Sequence, residues 1–257
     1  QALTVSNNAT FANTVGATTA LRELSVSGTT GLNGTAVVTS NAGGGTGNQT
    51  YTGAVTLGSA NGTTVALTYT GGTVAFGNTV NAATVGQQAL TVSNNATFAN
   101  TVGATTALRE LSVSGTTGLN GTAVVTSNAG GGTGNQTYTG AVTLGSANGT
   151  TVALTYTGGT VAFGNTVNAA TVGQQALTMS NNATFANTVG ATTALRELSV
   201  SGTTAINTTS IVTSNAGGGT GNQTYTGAVT LGTGNGTTVA LTNTGGTVAF
   251  GNTVNAA

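Results

Sequence analysis

The chain has 257 residues with 3 Lys+Arg, 3 Asp+Glu, no His, no Cys and no Pro, yet 43 Gly. This inventory excludes a thiol nucleophile, a Ser-His-Asp triad and a transition-metal site, and three arginines cannot neutralise a run of phosphates, so nucleic acid is not an expected partner. Apolar residues at 37 % argue against disorder and for a packed core.

From the N-terminus, Leu3 and Val5 alternate with small polar residues, the pattern of a short strand with one buried face. Phe11-Ala-Asn-Thr-Val15 follows: a large apolar anchor, a spacer, then valine. Thr18 to Leu24 is the best helical candidate and is too short to stand alone. Leu24 and Val26 resume the alternation, and Leu32-Asn-Gly-Thr-Ala-Val37 repeats the anchor motif with one extra residue. The glycine run Asn41-Ala-Gly-Gly-Gly-Thr-Gly-Asn48 reads as a flexible corner or a small bulge. Beyond it come Tyr51-Thr-Gly-Ala-Val55 with Leu57, then Val65 and Leu67, Val74, and Phe76-Gly-Asn-Thr-Val80.

The series then begins again. Gln1 to Gln87 recur unchanged as Gln88 to Gln174, and a third copy runs from Gln175 to Ala257 with nine differences. The expected organisation is therefore repeat 1 over 1–87, repeat 2 over 88–174 and a diverged repeat 3 over 175–257, forming one continuous body. The array is expected to be a window of a longer one. The anchors Phe11, Leu32, Tyr51, Phe76 and Phe98 are spaced 21, 19, 25 and 22 apart. Each long repeat is accordingly read as four coils of about 22 residues.

Units this small cannot bury a core singly, but stacked they can. The expected fold is all-β: a parallel β-solenoid whose coils pair strand on strand around one narrow interior. Gly and Asn would supply left-handed corners, and the absence of proline leaves every backbone N–H free for the ladders. The differences between copies agree with this: Val5, Leu32 and Val37 become Met179, Ile206 and Ile211, all apolar and similar in volume. Tyr69 becomes Asn243, which places Tyr69 outside. No stretch is long and apolar enough for a membrane-spanning helix.

The runs Thr18-Thr-Ala-Leu-Arg-Glu-Leu-Ser-Val26, Gly28-Thr-Thr-Gly-Leu-Asn-Gly34 and Gln49-Thr-Tyr-Thr-Gly-Ala-Val-Thr-Leu-Gly58 resemble repeats of very large bacterial exoproteins. These are the filamentous-haemagglutinin-like adhesins, typically exported by two-partner secretion. The resemblance implies a right-handed β-helical shaft, an extracellular or cell-surface location, and a role in adhesion or matrix.

All the charge lies in Arg22-Glu23 and its copies Arg109-Glu110 and Arg196-Glu197. A row of recognition sites one long repeat apart is one reading; a solvated corner between Leu21 and Leu24 is the preferred one. One Glu per four coils cannot supply the paired carboxylates of a glycosidase. The glycine run has no following lysine or helix, so a nucleotide loop is rejected. Thr50/Thr52 and Thr68/Thr70 raise an ice-binding alternative, but they sit differently about their anchors. No catalytic, metal-binding or cofactor-binding residue is expected. The expected function is a structural, non-catalytic extracellular shaft or fibre, with a glycan- or host-binding module as the alternative. Its expected partners are further copies of the same repeat, through intrachain stacking and lateral or end-to-end self-association, and cell-surface glycans on the alternative reading.

Overall fold

The computed structural model describes residues 1–234 and 236–257. The described residues form short parallel strands and one single-turn 3-10 helix, Asn128–Gly130. The chain is a β-solenoid with three faces. The second turn shows the plan: Glu23–Val26 on the first face, Thr30–Leu32 on the second and Ala36–Ser40 on the third. The third turn stacks Gln49–Tyr51, Val55–Leu57 and Thr64–Thr70 on those three strands in the same order.

The strands form where the sequence alternates. Val26, Leu32, Tyr51, Val55, Leu57, Val65 and Leu67 all point inward and are buried, while Ser25, Gly31, Thr50 and Thr56 between them lie on the outer side. A three-residue strand buries only two side chains, so neither local propensity nor its own apolar area can hold it. Pairing on both edges does. Aromatic rings stack inside: Tyr51 on Phe76 at 5.5 Å and Phe76 on Phe98 at 5.0 Å. The second set is Tyr138, Phe163 and Phe185, at 5.4 and 5.5 Å.

The coil is longer than the anchor spacing implies. Along the first face Leu3 lies beside Leu24, Leu24 beside Gln49, Gln49 beside Val74 and Val74 beside Ala96, steps of 21, 25, 25 and 22 residues. Ten turns carry this face from Leu3 to Leu241, about 24 residues per turn. The anchors mislead because they occupy two faces. Phe11, Leu32 and Leu57 are stacked on the second face, whereas Tyr51, Phe76 and Phe98 are stacked on the first. The interval from Leu32 to Tyr51 is thus not a turn at all.

A consequence is that the long repeat does not close on itself. Between Ala2 and Ala82 lie ten strands, plus the stretch Val15 to Leu21, which pairs through the bridges Val15–Val37 and Leu21–Thr39. Those are eleven segments against three per turn. One long repeat therefore makes three and two-thirds turns, and each copy begins one face away from the last. Ala2–Val5 is on the first face, its copy Ala89–Val92 on the third, and the next copy Ala176–Met179 on the second. The expectation of four coils per repeat is corrected to this value. Thr18 to Leu24 is not helical; Leu21 bridges the turn above and Glu23 opens a strand.

Two residue assignments also change. Tyr69 is inside, 4 % exposed, with its hydroxyl donating to the Asn95 carbonyl one turn above. Tyr156 repeats this with the Asn182 carbonyl. Asn243 is tolerated in the third copy because it lies in the last turn, half-exposed. The left-handed corners are made by glycine alone; no other described residue has positive φ. Asn serves instead as a link between turns, since a short amide can reach across a rise of about 4.8 Å. Asn8 Oδ1 accepts the Thr29 N–H at 2.9 Å, Asn48 that of Thr73 and Asn95 that of Thr116. Such stacking leaves no room for side chains above the amide: a Cβ on Gly28 would fall 2.4 Å from Asn8 Oδ1.

Candidate functional site

The charged corners are the first place to look for chemistry, and each proves to be a strap between turns. Glu110 precedes Leu111–Val113 on the third face, and its Oε1 accepts the Thr133 N–H at 2.9 Å and the Thr133 hydroxyl at 3.0 Å, one turn above. Glu197 holds Thr220 in the same way, at 3.0 and 3.1 Å. Glu23 accepts the Thr46 N–H at 3.0 Å. That amide bond, helped by the Thr46 hydroxyl and the nearby Arg22 charge, holds the Glu23 carboxyl below its ordinary pKa despite some desolvation.

The arginines reach the other way. Arg109 donates to the Gly62 carbonyl and to Thr64 Oγ1 (3.1 Å), two turns below. Arg196 repeats this with the Gly149 carbonyl and Thr151 Oγ1 (3.1 Å). Each of these Arg-Glu pairs therefore ties four successive levels together. Arg22 has no turns beneath it and stands exposed. The three pairs are not a row. Arg22-Glu23 is on the first face, Arg109-Glu110 on the third and Arg196-Glu197 on the second. They climb as a screw, about 18 Å per step at about 4.8 Å per turn.

The glycine run packs over this strap. A Cβ on Gly132 would lie 2.2 Å from Arg109 Cγ, so the arginine stem passes where a side chain would be. Gly47 N–H donates to the Arg22 carbonyl at 3.1 Å. The tip is different: Gly43 and Gly44 have φ of 96° and 85°, with no heavy atom within 4 Å of a built Cβ. The loop thus has a pinned base and a projecting tip, as the expectation of a protruding bulge required.

Sequence reading missed the buried glutamines. Gln49, Gln136 and Gln223 are fully buried, and their amides are satisfied inside the shaft. Gln136 Nε2 donates to the Val124 carbonyl at 3.2 Å and to Thr126 Oγ1 at 3.3 Å, and its Oε1 accepts the Tyr138 hydroxyl at 3.2 Å. The available signal was parity, since Gln136 stands two residues before the inward Tyr138. Burial raises the phenol pKa of Tyr51, Tyr138 and Tyr225, and pushes Tyr69 and Tyr156 up to about 12. One threonine per repeat, Thr30, Thr117 or Thr204, carries a buried hydroxyl without a partner.

Among the described residues no group of three or more His, Cys, Asp or Glu gathers, and no helix is long and apolar enough to cross a membrane. Comparison with protein-family models, with curated proteins and with solved structures finds no match to this chain.

Proposed function

We propose that the chain is a structural, non-catalytic shaft, part of an extracellular fibre or bacterial surface protein that serves adhesion, matrix or filament formation. The observation that carries this reading is the use made of the charged side chains. Glu110, Glu197, Arg109 and Arg196 each engage a neighbouring turn rather than an open cleft. Resources that an enzyme would aim at a substrate are here spent on cohesion along the axis. The likeness of the repeats to filamentous-haemagglutinin-like exoproteins supports a surface location and the right-handed sense, which parallel crossovers adopt in general.

The screw placement of the repeats supports a spacer over a binding face. A glycan-binding groove favours exposed aromatics aligned along one side, and here Tyr51, Tyr69, Tyr138 and Tyr156 are interior. An ice-binding plane needs the same pair on every turn of one face, whereas the long repeat changes face with each copy. Electron microscopy of the purified chain should show a rod whose stacked turns extend roughly 48 Å, ten turns at about 4.8 Å each. A glycan-array or cell-binding measurement with strong, saturable and specific binding to this chain would displace the spacer in favour of an adhesive module.

A further inference from the structure

The upper edge of the last turn is formed by Ala240–Thr244, Val248–Phe250 and Val254–Ala256, and each of these strands pairs only with the turn below. The lower edge of the first turn, Ala2–Val5 and Ala9–Phe11, pairs only with the turn above. Leu3, Phe250 and Val254 are exposed there. We propose that these two edges are complementary and that a second copy of this chain docks head to tail through them, in one fixed register.

The register is already present twice within the chain. At the first boundary between long repeats Thr64–Leu67 lies beside Ala89–Val92, Val74–Phe76 beside Ala96–Phe98, and Val80 beside Val102. At the second boundary Thr151–Leu154 lies beside Ala176–Met179, Val161–Phe163 beside Ala183–Phe185, and Val167 beside Val189. The same sequence positions form the free edges. Val239 and Leu241 would meet Leu3 and Val5, Val248 and Phe250 would meet Ala9 and Phe11, and Val254 would meet Val15.

Phase and shape agree. Three long repeats of three and two-thirds turns make a whole number of turns, so Ala240–Thr244 and Ala2–Val5 belong to the same face and need no rotation to meet. The upper edge also carries a cavity of about 160 Å³, lined among others by Leu231, Thr233, Thr237, Val239 and Ala256. The corresponding residues at the first internal boundary surround the buried Gln88, whose Nε2 donates to the Ser59 carbonyl at 3.0 Å. Gln1 is the residue of a second copy that stands where Gln88 does. One contact is lost in the free joint: Asn243 replaces the tyrosine whose hydroxyl crosses each internal boundary. The joint is therefore weaker than its internal versions and reversible on dilution.

Two substitutions test this without disturbing the fold. Ala89 and Ser93 donate their N–H groups to the turn below, so by alternation the Thr4 N–H points off the free lower edge. Val80 and Val167 donate to the turn above, so the Val254 N–H points off the free upper edge. Thr4→Pro and Val254→Pro each remove an unpaired edge donor and block one end only. The expected result in sedimentation velocity is concentration-dependent growth of the unmodified chain into rods lengthening in whole-chain steps. Each variant alone stays monomeric with an unchanged circular-dichroism spectrum, and an equimolar mixture of the two gives a species of twice the monomer mass. A monomeric unmodified chain at about 100 µM, assembly that persists in both variants, or a mixture that stays monomeric would each overturn the proposal. None of these outcomes bears on whether a single chain is a shaft, which the rod length decides.

Discussion

Phe76 of the first long repeat and Phe98 of the second stack with centroids 5.0 Å apart and planes within 5°. Their spacing of 22 residues is one turn, and the boundary between the repeats passes between them without an interruption of the core. The long repeat is a unit of sequence; the unit of structure is the three-faced turn.

This stack sets a contrast between identical residues. Phe98 is fully buried, whereas Phe250, in the last turn, is 42 % exposed. Phe98→Ala should cost about 3–5 kcal/mol in urea unfolding. Phe250→Ala, with a ring beneath it only, should cost less than half as much. Equal losses at the two positions would show that stacking between turns contributes little.

The unpartnered hydroxyls give the opposite sign. Thr117 lies between Ala96 below and Val142 above, at a position where valine fits the same space. Thr117→Val should stabilise the chain by about 1 kcal/mol, because a desolvated hydroxyl is removed and a methyl gained. Thr30 and Thr204 are far from it and on other faces, so the triple variant should add nearly linearly in thermal melts.

The straps predict unequal effects of one change at three copies. Arg109→Gln and Arg196→Gln each remove hydrogen bonds to a carbonyl and a hydroxyl two turns away, and should each cost about 1–2 kcal/mol. Arg22→Gln should be neutral within about 0.5 kcal/mol, since the exposed Arg22 has no turn below to hold. Chevron or equilibrium unfolding of the three single variants would separate a strap from a merely solvated charge.

Stability should respond to alkali and little to the middle of the pH scale. The chain has no histidine, and its five tyrosines are held neutral by burial, Tyr69 and Tyr156 up to about 12 against an ordinary 10.0. A folded-state pKa raised above the unfolded value means the contribution is complete below pH 10 and is lost as pH rises from 10 toward 12. The melting temperature should be nearly flat from pH 6 to 9 and fall steeply above 10. Tyr69→Phe combined with Tyr156→Phe should make that fall shallower. At the acid end Glu23, with its carboxyl held low, loses a small surface contribution as pH falls.

The sequence by itself determined the material of this protein: period-two alternation, glycine corners, a near absence of charge and parallel turns stacked around a narrow core. Those are properties of a strand and its two neighbours, and each is written within a few residues, as in Val55-Thr-Leu57 or Gly71-Gly72. Only the tertiary structure decided the phase. Spacing along the chain counts corners and strands alike, so Leu32 and Tyr51 looked like successive rungs until pairing set Leu57 above Leu32 and Phe76 above Tyr51. The same applies to Tyr69 and Gln136, whose burial depends on the Asn95 carbonyl and the Tyr138 hydroxyl that the fold brings within reach. Whether a polar group can lie inside is decided by its partner, and for Tyr69 that partner is supplied by the next turn.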